Sequence, residues 1–141
     1  MDTANPNKDT LRRVMRAYTQ GDLEPLMKAV AEDVVWDSNS PAPHFRFGGR
    51  YSGHVGLTEA LSLIASEFHI LRYDIEEMTG EGDIIWAMSE VEVLERRSGK
   101  RAQVRLANRW QFRAGKIVSC TEFFDSAGTL LQLDKIAPQA A

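Results

Sequence analysis

The chain has 141 residues, 43% of them hydrophobic and 26% charged, with a formal charge of −3. That suffices for one domain burying about two thirds of its unfolded surface, with no need of metal or disulfide staples. The acidic balance argues against a nucleic-acid surface, the single cysteine (Cys120) excludes an internal disulfide, and no apolar run approaches the roughly 18 residues of a membrane span.

Three helices come first in the chain. In "DTLRRVMRAYTQ", Leu11, Val14, Met15 and Tyr18 fall at i, i+3, i+4 and i+7, one face of a helix. Asp9 or Thr10 can cap its start, and Gly21 ends it. Asp22 then caps a second helix bearing Leu23, Leu26, Met27 and Val30, and Pro25 is tolerated in its first turn. Residues 33–37 read as a short strand. Ser38 to Gly53, with two prolines and three glycines, reads as a loop. A third helix carries Leu57, Ala60, Leu61, Ile64 and Phe68 on one side.

From Leu71 the period changes from 3.6 to 2. Strands are expected at 71–79, 83–97, 101–113 and 116–125, joined by the turns "GEGD", "RSGK" and "RAG". In the third of these, Val104, Leu106, Asn108, Trp110 and Phe112 share an apolar face broken by one amide. In the last, Val118, Cys120, Glu122 and Phe124 share a face broken by one carboxylate. Ile84, Trp86 and Met88 share a face of 83–97, and a bulge near Ser89 would keep Val91 and Val93 inward. The expectation is an α+β fold: a cone-shaped, curved antiparallel or mixed sheet wrapped around about three N-terminal helices and enclosing a pocket. Residues 9–133 form a single domain, with a flexible N-terminus at 1–8 and a flexible tail at 134–141. The polar start "MDTANPNKDT" carries no apolar signal core, so the expected location is cytoplasmic.

"GDLEPLMKAVAEDVVW", the Pro-containing loop, "GRYSGHVGL" and the ending "RWQFRAGKIVSCTEFFD" together resemble the SnoaL-like branch of the nuclear transport factor 2-like superfamily. That branch is akin to ketosteroid isomerase, and the likeness covers about residues 10–133. It implies a deep pocket in a conical barrel and a homodimer through the outer sheet face. It implies no single reaction, because isomerases, cyclases, hydratases and epoxide hydrolases share the cone. In ketosteroid isomerase the base is an Asp ending the strand after the second helix, and Asp37 falls there. The tyrosine and protonated Asp of that enzyme's oxyanion hole are replaced by Val14 and Asn108. In limonene epoxide hydrolase-like members an Asp–Arg–Asp set activates water. Glu122 matches one of those acids, and no arginine on 83–97 matches the basic partner.

The candidate catalytic residues are therefore Asp37, Asn108 and Glu122. Asp37, beside Trp36, is either a poorly solvated general base or the head of an Asx-type turn with Ser38 and Asn39. Asn108 is either an oxyanion donor or a buried structural amide bonded to Asp37 or Glu122. Glu122 is either a second acid/base or a structural carboxylate held by Asn108 or a tyrosine. Trp36, Trp86, Trp110 and Tyr18 would wall a pocket for a cyclic ligand or fill the core, and Tyr51 could donate a hydrogen bond into it. His44, in the loop beside Asp37, could serve as an acid or gate. Cys120 reads as an inert buried thiol. His44, His54 and His69 show no ligand spacing, so neither metal nor cofactor is expected. The function implied is acid/base chemistry of isomerase, cyclase or hydratase type on a small apolar, carbonyl-bearing molecule. The alternatives are a non-catalytic ligand-binding or dimerisation module, and epoxide hydrolysis with water held between Glu122 and Glu90 or Glu92. No nucleic acid or membrane partner is expected.

Overall fold

A computed structural model describes residues 5–41 and 43–137. The order is α1 (Pro6–Thr19), α2 (Glu24–Ala29), β1 (Val30–Ser38), β2 (Gly49–Ser52), α3 (Gly53–Glu67), β3 (Phe68–Thr79), β4 (Ile84–Glu95), β5 (Arg101–Arg113), β6 (Lys116–Phe124) and α4 (Ser126–Gln132). The six strands form one mixed sheet in the order β2-β1-β6-β5-β4-β3. Every neighbouring pair is antiparallel except β1–β6, which is parallel. The fold is α+β, as the sequence pattern implied.

Capping chemistry moves several boundaries. The Asn5 side chain accepts from Asn7 N at 2.9 Å and Pro6 opens α1, so the helix starts ahead of Asp9 and Thr10. Residues 6–8 are thus helical rather than a flexible arm. The flexibility expected for residues 1–4 and 138–141 lies outside the described residues. At Gly21 (φ +84°) the chain leaves α1, and the Asp22 side chain accepts from Glu24 N at 3.2 Å. The second helix is short because β-branched Val30 already turns extended, and β1 runs to Ser38 instead of occupying 33–37.

Two elements were not foreseen. The segment read as one loop from Ser38 to Gly53 contains β2, which pairs Tyr51 with Trp36 and Arg50 with Asp37. After β6, Asp125 caps α4 by accepting from Gly128 N at 2.9 Å, and Leu130 and Leu133 become buried. The phase of β4 also differs. Ile85, Ala87, Ser89 and Val91 face inward in unbroken register with β5, while Trp86 and Met88 face out. There is no bulge at Ser89 against β5; the irregularities lie between β3 and β4, at Leu71 and Glu76.

The inner face of the sheet packs against the helices as two apolar clusters. One joins α1, α2 and α3 to Val34, Trp36, Ile85, Trp110, Phe112 and Ile117. The other gathers Phe45, Phe47, Phe68, Val91, Val104, Leu106, Leu130 and Leu133. The space between them is where polar residues gather.

Candidate functional site

Register across the sheet brings the polar side chains together. Ser38 of β1, Glu122 of β6, Asn108 of β5 and Ala87 of β4 stand opposite one another in a row on the inner face. The neighbouring row holds Trp36, Cys120, Trp110 and Ile85. Because side chains alternate along a strand, both rows point to the helices. Helix α1 contributes Met15 and Tyr18, α3 contributes Ile64, and edge strand β3 contributes Tyr73. Phe45 and Phe47, from the loop between β1 and β2, and Thr129 of α4 close the far side. Phe45 and Phe47 pack at 5.6 Å, and Phe45 meets Phe124 edge-on at 5.2 Å. They line a cavity of about 90 Å³ whose polar residues are Tyr18, Tyr73, Asn108, Glu122, Trp36 and Thr129.

Glu122 is 8% exposed, and among the described residues it has neither a hydrogen-bond partner nor a cation. Burial alone pushes its carboxyl up to about 7, the range in which a general base or acid works best near neutrality. Burial, reinforced by the charge of Glu122, raises both the Tyr18 and the Tyr73 hydroxyl well above the usual phenol range. Both therefore stay protonated, and the Tyr18 hydroxyl has no acceptor among the described residues. Tyr73 donates to Asn108 Oδ1 at 3.4 Å, and Asn108 Nδ2 makes only a weak 3.5 Å contact with Cys120 Sγ. The indole N–H of Trp36 is buried with no acceptor among the described residues. An acid with unspent donors around it can move a proton and steady the resulting negative oxygen.

Of the expected site residues, the structure brings Asn108, Glu122, Tyr18 and Trp36 to this cavity and leaves the others elsewhere. Asp37 is a correction. With Trp36 turned inward, Asp37 turns to the opposite face of β1, beside Arg50 and Thr121 in register. Its turn role fails as well, since Asn39 N donates to the Glu122 carbonyl oxygen at 2.9 Å. Trp86 is 41% exposed on the outer face, stacked on Phe123 at 6.3 Å, and does not line this cavity. Trp110 is buried in the core edge-on to Trp36 at 6.0 Å, behind the cavity wall. The Tyr51 hydroxyl reaches the carbonyls of Arg46 and Gly48 and pins the loop instead of entering the cavity. His44 is exposed and away from the cavity. Glu90 and Glu92 lie on the outer face against Arg105 and Arg101, which removes the second acid that epoxide hydrolysis required. Asn108 is not bonded to Asp37 or Glu122, and its partner Tyr73 was missed. The alternation of Tyr73 with Ile75 was the available signal.

The family model of the SnoaL-like domain matches residues 11–120. The chain belongs to the SnoaL-like family. No curated protein matches this SnoaL-like chain in sequence. Among solved structures, a candidate isomerase from Rhodopseudomonas palustris is similar at TM-score 0.81 and 21% identity, covering 96% of this chain and 100% of its own. TerC, crystallised with polyporic acid, is similar at TM-score 0.79 and 24% identity, covering 87% and 94%. A candidate SnoaL-like polyketide cyclase from Mesorhizobium loti is similar at TM-score 0.67 and 17% identity, covering 87% and 99%. At these identities the likeness is one of fold, and a shared fold does not fix a reaction.

Proposed function

We propose that the protein is an acid/base enzyme of isomerase, cyclase or hydratase type, acting on a small, apolar, carbonyl-bearing, cyclic molecule. The observation that carries the reading is Glu122, a buried carboxyl without a partner that lines an apolar cavity. Glu122 takes the proton next to the carbonyl. Tyr18, kept neutral, and the free amide hydrogen of Asn108 are the donors for the oxyanion, while Tyr73 holds the Asn108 amide in place through its Oδ1. Aromatic walls from Trp36, Phe45, Phe47, Phe68 and Phe124 suit a flat ring.

The test is solvent-deuterium exchange at the α-carbon of a small cyclic ketone such as cyclohexanone, followed by NMR with the wild type and with Glu122→Gln. Exchange above buffer should fall by about 10²–10⁴ in the variant. Wild-type exchange no faster than buffer, or equal exchange in the variant, sinks the enzyme reading.

A second reading, a non-catalytic binding module, draws on the cavity size. About 90 Å³ is small beside the roughly 300 Å³ at the lower end of ordinary ligand pockets. We also propose that two copies pair through the outer sheet face, where Ile84, Trp86 and Phe123 are exposed together. Light scattering of the wild type and of Trp86→Glu tests it, and a monomeric wild type ends the idea.

A further inference from the structure

The walls of the cavity differ from an ordinary polar site in their charge. Among the residues lining it there is no lysine, arginine or histidine, and Glu122 is the one carboxyl. The arginine of the covering loop, Arg46, pairs with Glu67 of α3 at 3.6 Å. We infer that the cavity selects its ligand by charge: it takes an uncharged molecule bearing hydrogen-bond acceptors, excludes carboxylates, and takes up a proton at Glu122 as that molecule binds. This rests on the reading of the same cavity as a ligand site, and it holds whether or not catalysis follows.

The chemistry of the wall supports each part. A ligand carboxylate would bring a second negative charge out of water against Glu122, with nothing to compensate either. An ammonium would satisfy Glu122 but would bring its charge against apolar walls and leave the remaining donors of the cavity without an acceptor. Among the described residues the Tyr18 hydroxyl, the Trp36 indole N–H and the Asn108 amide all lack an oxygen acceptor, while Asn108 Oδ1 is already taken by Tyr73. A neutral ligand with carbonyl or ether oxygens meets that surplus.

Filling the cavity also strips the remaining water from Glu122, and a carbonyl oxygen facing it can bond only the protonated carboxyl. Both effects favour the neutral acid, and the base of the proposed reaction is the ionised fraction that remains near neutrality. The titratable groups near Glu122 are Tyr18 from α1, Tyr73 from β3 and Cys120 from its own strand, all held neutral by burial. The other elements contribute Asn108 and Thr129, which do not titrate, and apolar groups that include Trp36, Phe45, Phe47 and Ile64.

Three molecules of similar size test the inference: acetophenone, benzoate and benzylammonium. Binding to the full chain is read by NMR from the Trp36 indole N–H, with Trp86 and Trp110, which do not line the cavity, as internal controls. Calorimetry at about pH 8 in two buffers of different ionisation enthalpy counts protons. Acetophenone should shift Trp36 and take up a fraction of a proton, and benzoate should bind about tenfold or more weakly. At about pH 5.5, where Glu122 is neutral and benzoate still charged, that handicap should shrink. In Glu122→Gln, acetophenone should bind without proton uptake.

Benzoate binding as tightly as acetophenone, benzylammonium binding more tightly than either, no proton uptake, or no shift of Trp36 by any probe would each overturn the inference. Charge selection without α-exchange of cyclohexanone leaves the inference standing and removes the enzyme reading. Glu122-dependent exchange with equal benzoate binding does the reverse.

Discussion

The two faces of the sheet treat the same residue type in opposite ways. On the outer face, Glu90 sits 3.9 Å from Arg105 Nε and Glu92 sits 3.5 Å from Arg101 Nη1, all within reach of water. On the inner face, Glu122 has neither cation nor hydrogen bond among the described residues and is buried. The outer pairs fit what solubility asks of an exposed sheet, and each contributes little to stability. The inner carboxyl costs stability and gains nothing visible in return within the chain. A leucine there would fold more easily. A residue that folding alone disfavours, at a cavity rimmed by donors, points to a ligand-directed role.

The tryptophans offer the largest test of this division. Trp110 is 2% exposed and Trp86 is 41% exposed, although Trp86 of β4 pairs with Arg109, next to Trp110 on β5. Trp110→Ala should destabilise by about 3–5 kcal/mol in chemical denaturation, because it leaves a cavity against Trp36. Trp86→Ala should cost under about 1 kcal/mol, mostly its stacking on Phe123. Equal losses would mean the faces are assigned wrongly. A Trp86→Ala loss that grows with protein concentration would instead reveal pairing through this face.

Next in size is the pH dependence that Glu122 imposes. Its carboxyl ordinarily titrates at 4.5 and is raised to about 7 in the folded chain. Between those values the folded state holds a proton that the unfolded state has released, so stability falls as pH rises. The total is about 3 kcal/mol, complete near pH 7, with nothing further lost above it and none below about pH 4.5. Glu122→Gln should remove this slope and leave the variant more stable than the wild type at about pH 8. Urea midpoints of both proteins across the range measure the difference, and parallel curves would contradict an isolated buried carboxyl.

Much of this division was legible in the alternation of β5 and β6. β5 is apolar on one face alone, and Cys120 and Phe124 flank Glu122 on β6, so Asn108 and Glu122 read as inward intruders from the sequence. Strand β4 misleads because both of its phases look apolar. Ile84, Trp86 and Met88 outweigh Ile85, Ala87 and Ser89 in bulk, yet pairing with β5 puts the smaller set inside. Asp37 was assigned by analogy of position, although alternation with Trp36 already turned it outward. Tyr73 escaped notice because the bulges of β3 at Leu71 and Glu76 break the period on either side of it. The four residues of β2 pair largely through backbone and leave no apolar pattern to detect.

Tyr73 gives a smaller effect that sharpens the inner side of the comparison. Its hydroxyl is a partner of Asn108 Oδ1, at a long 3.4 Å. Tyr73→Phe should therefore cost about 1 kcal/mol, near the low end for orphaning a buried acceptor. Heat or urea denaturation reads it, and a loss under a few tenths would mean that water already serves Asn108.

The smallest effect belongs to the outer face, and its smallness is the point. Arg105 lies within 3.4 Å of Glu76 Oε2 and 3.9 Å of Glu90 Oε2, and is about two thirds exposed. By count of charges it has more partners than Glu122. Yet water can replace both carboxylates when the guanidinium goes, so Arg105→Ala should change stability by no more than about 0.5 kcal/mol. Raising salt should shrink even that, since exposed pairs are screened. A loss above about 1 kcal/mol that persists in high salt would show that this face is not in water at all. The outer face would then have to be covered, and a second copy paired across Trp86 and Phe123 would be the first cover to test.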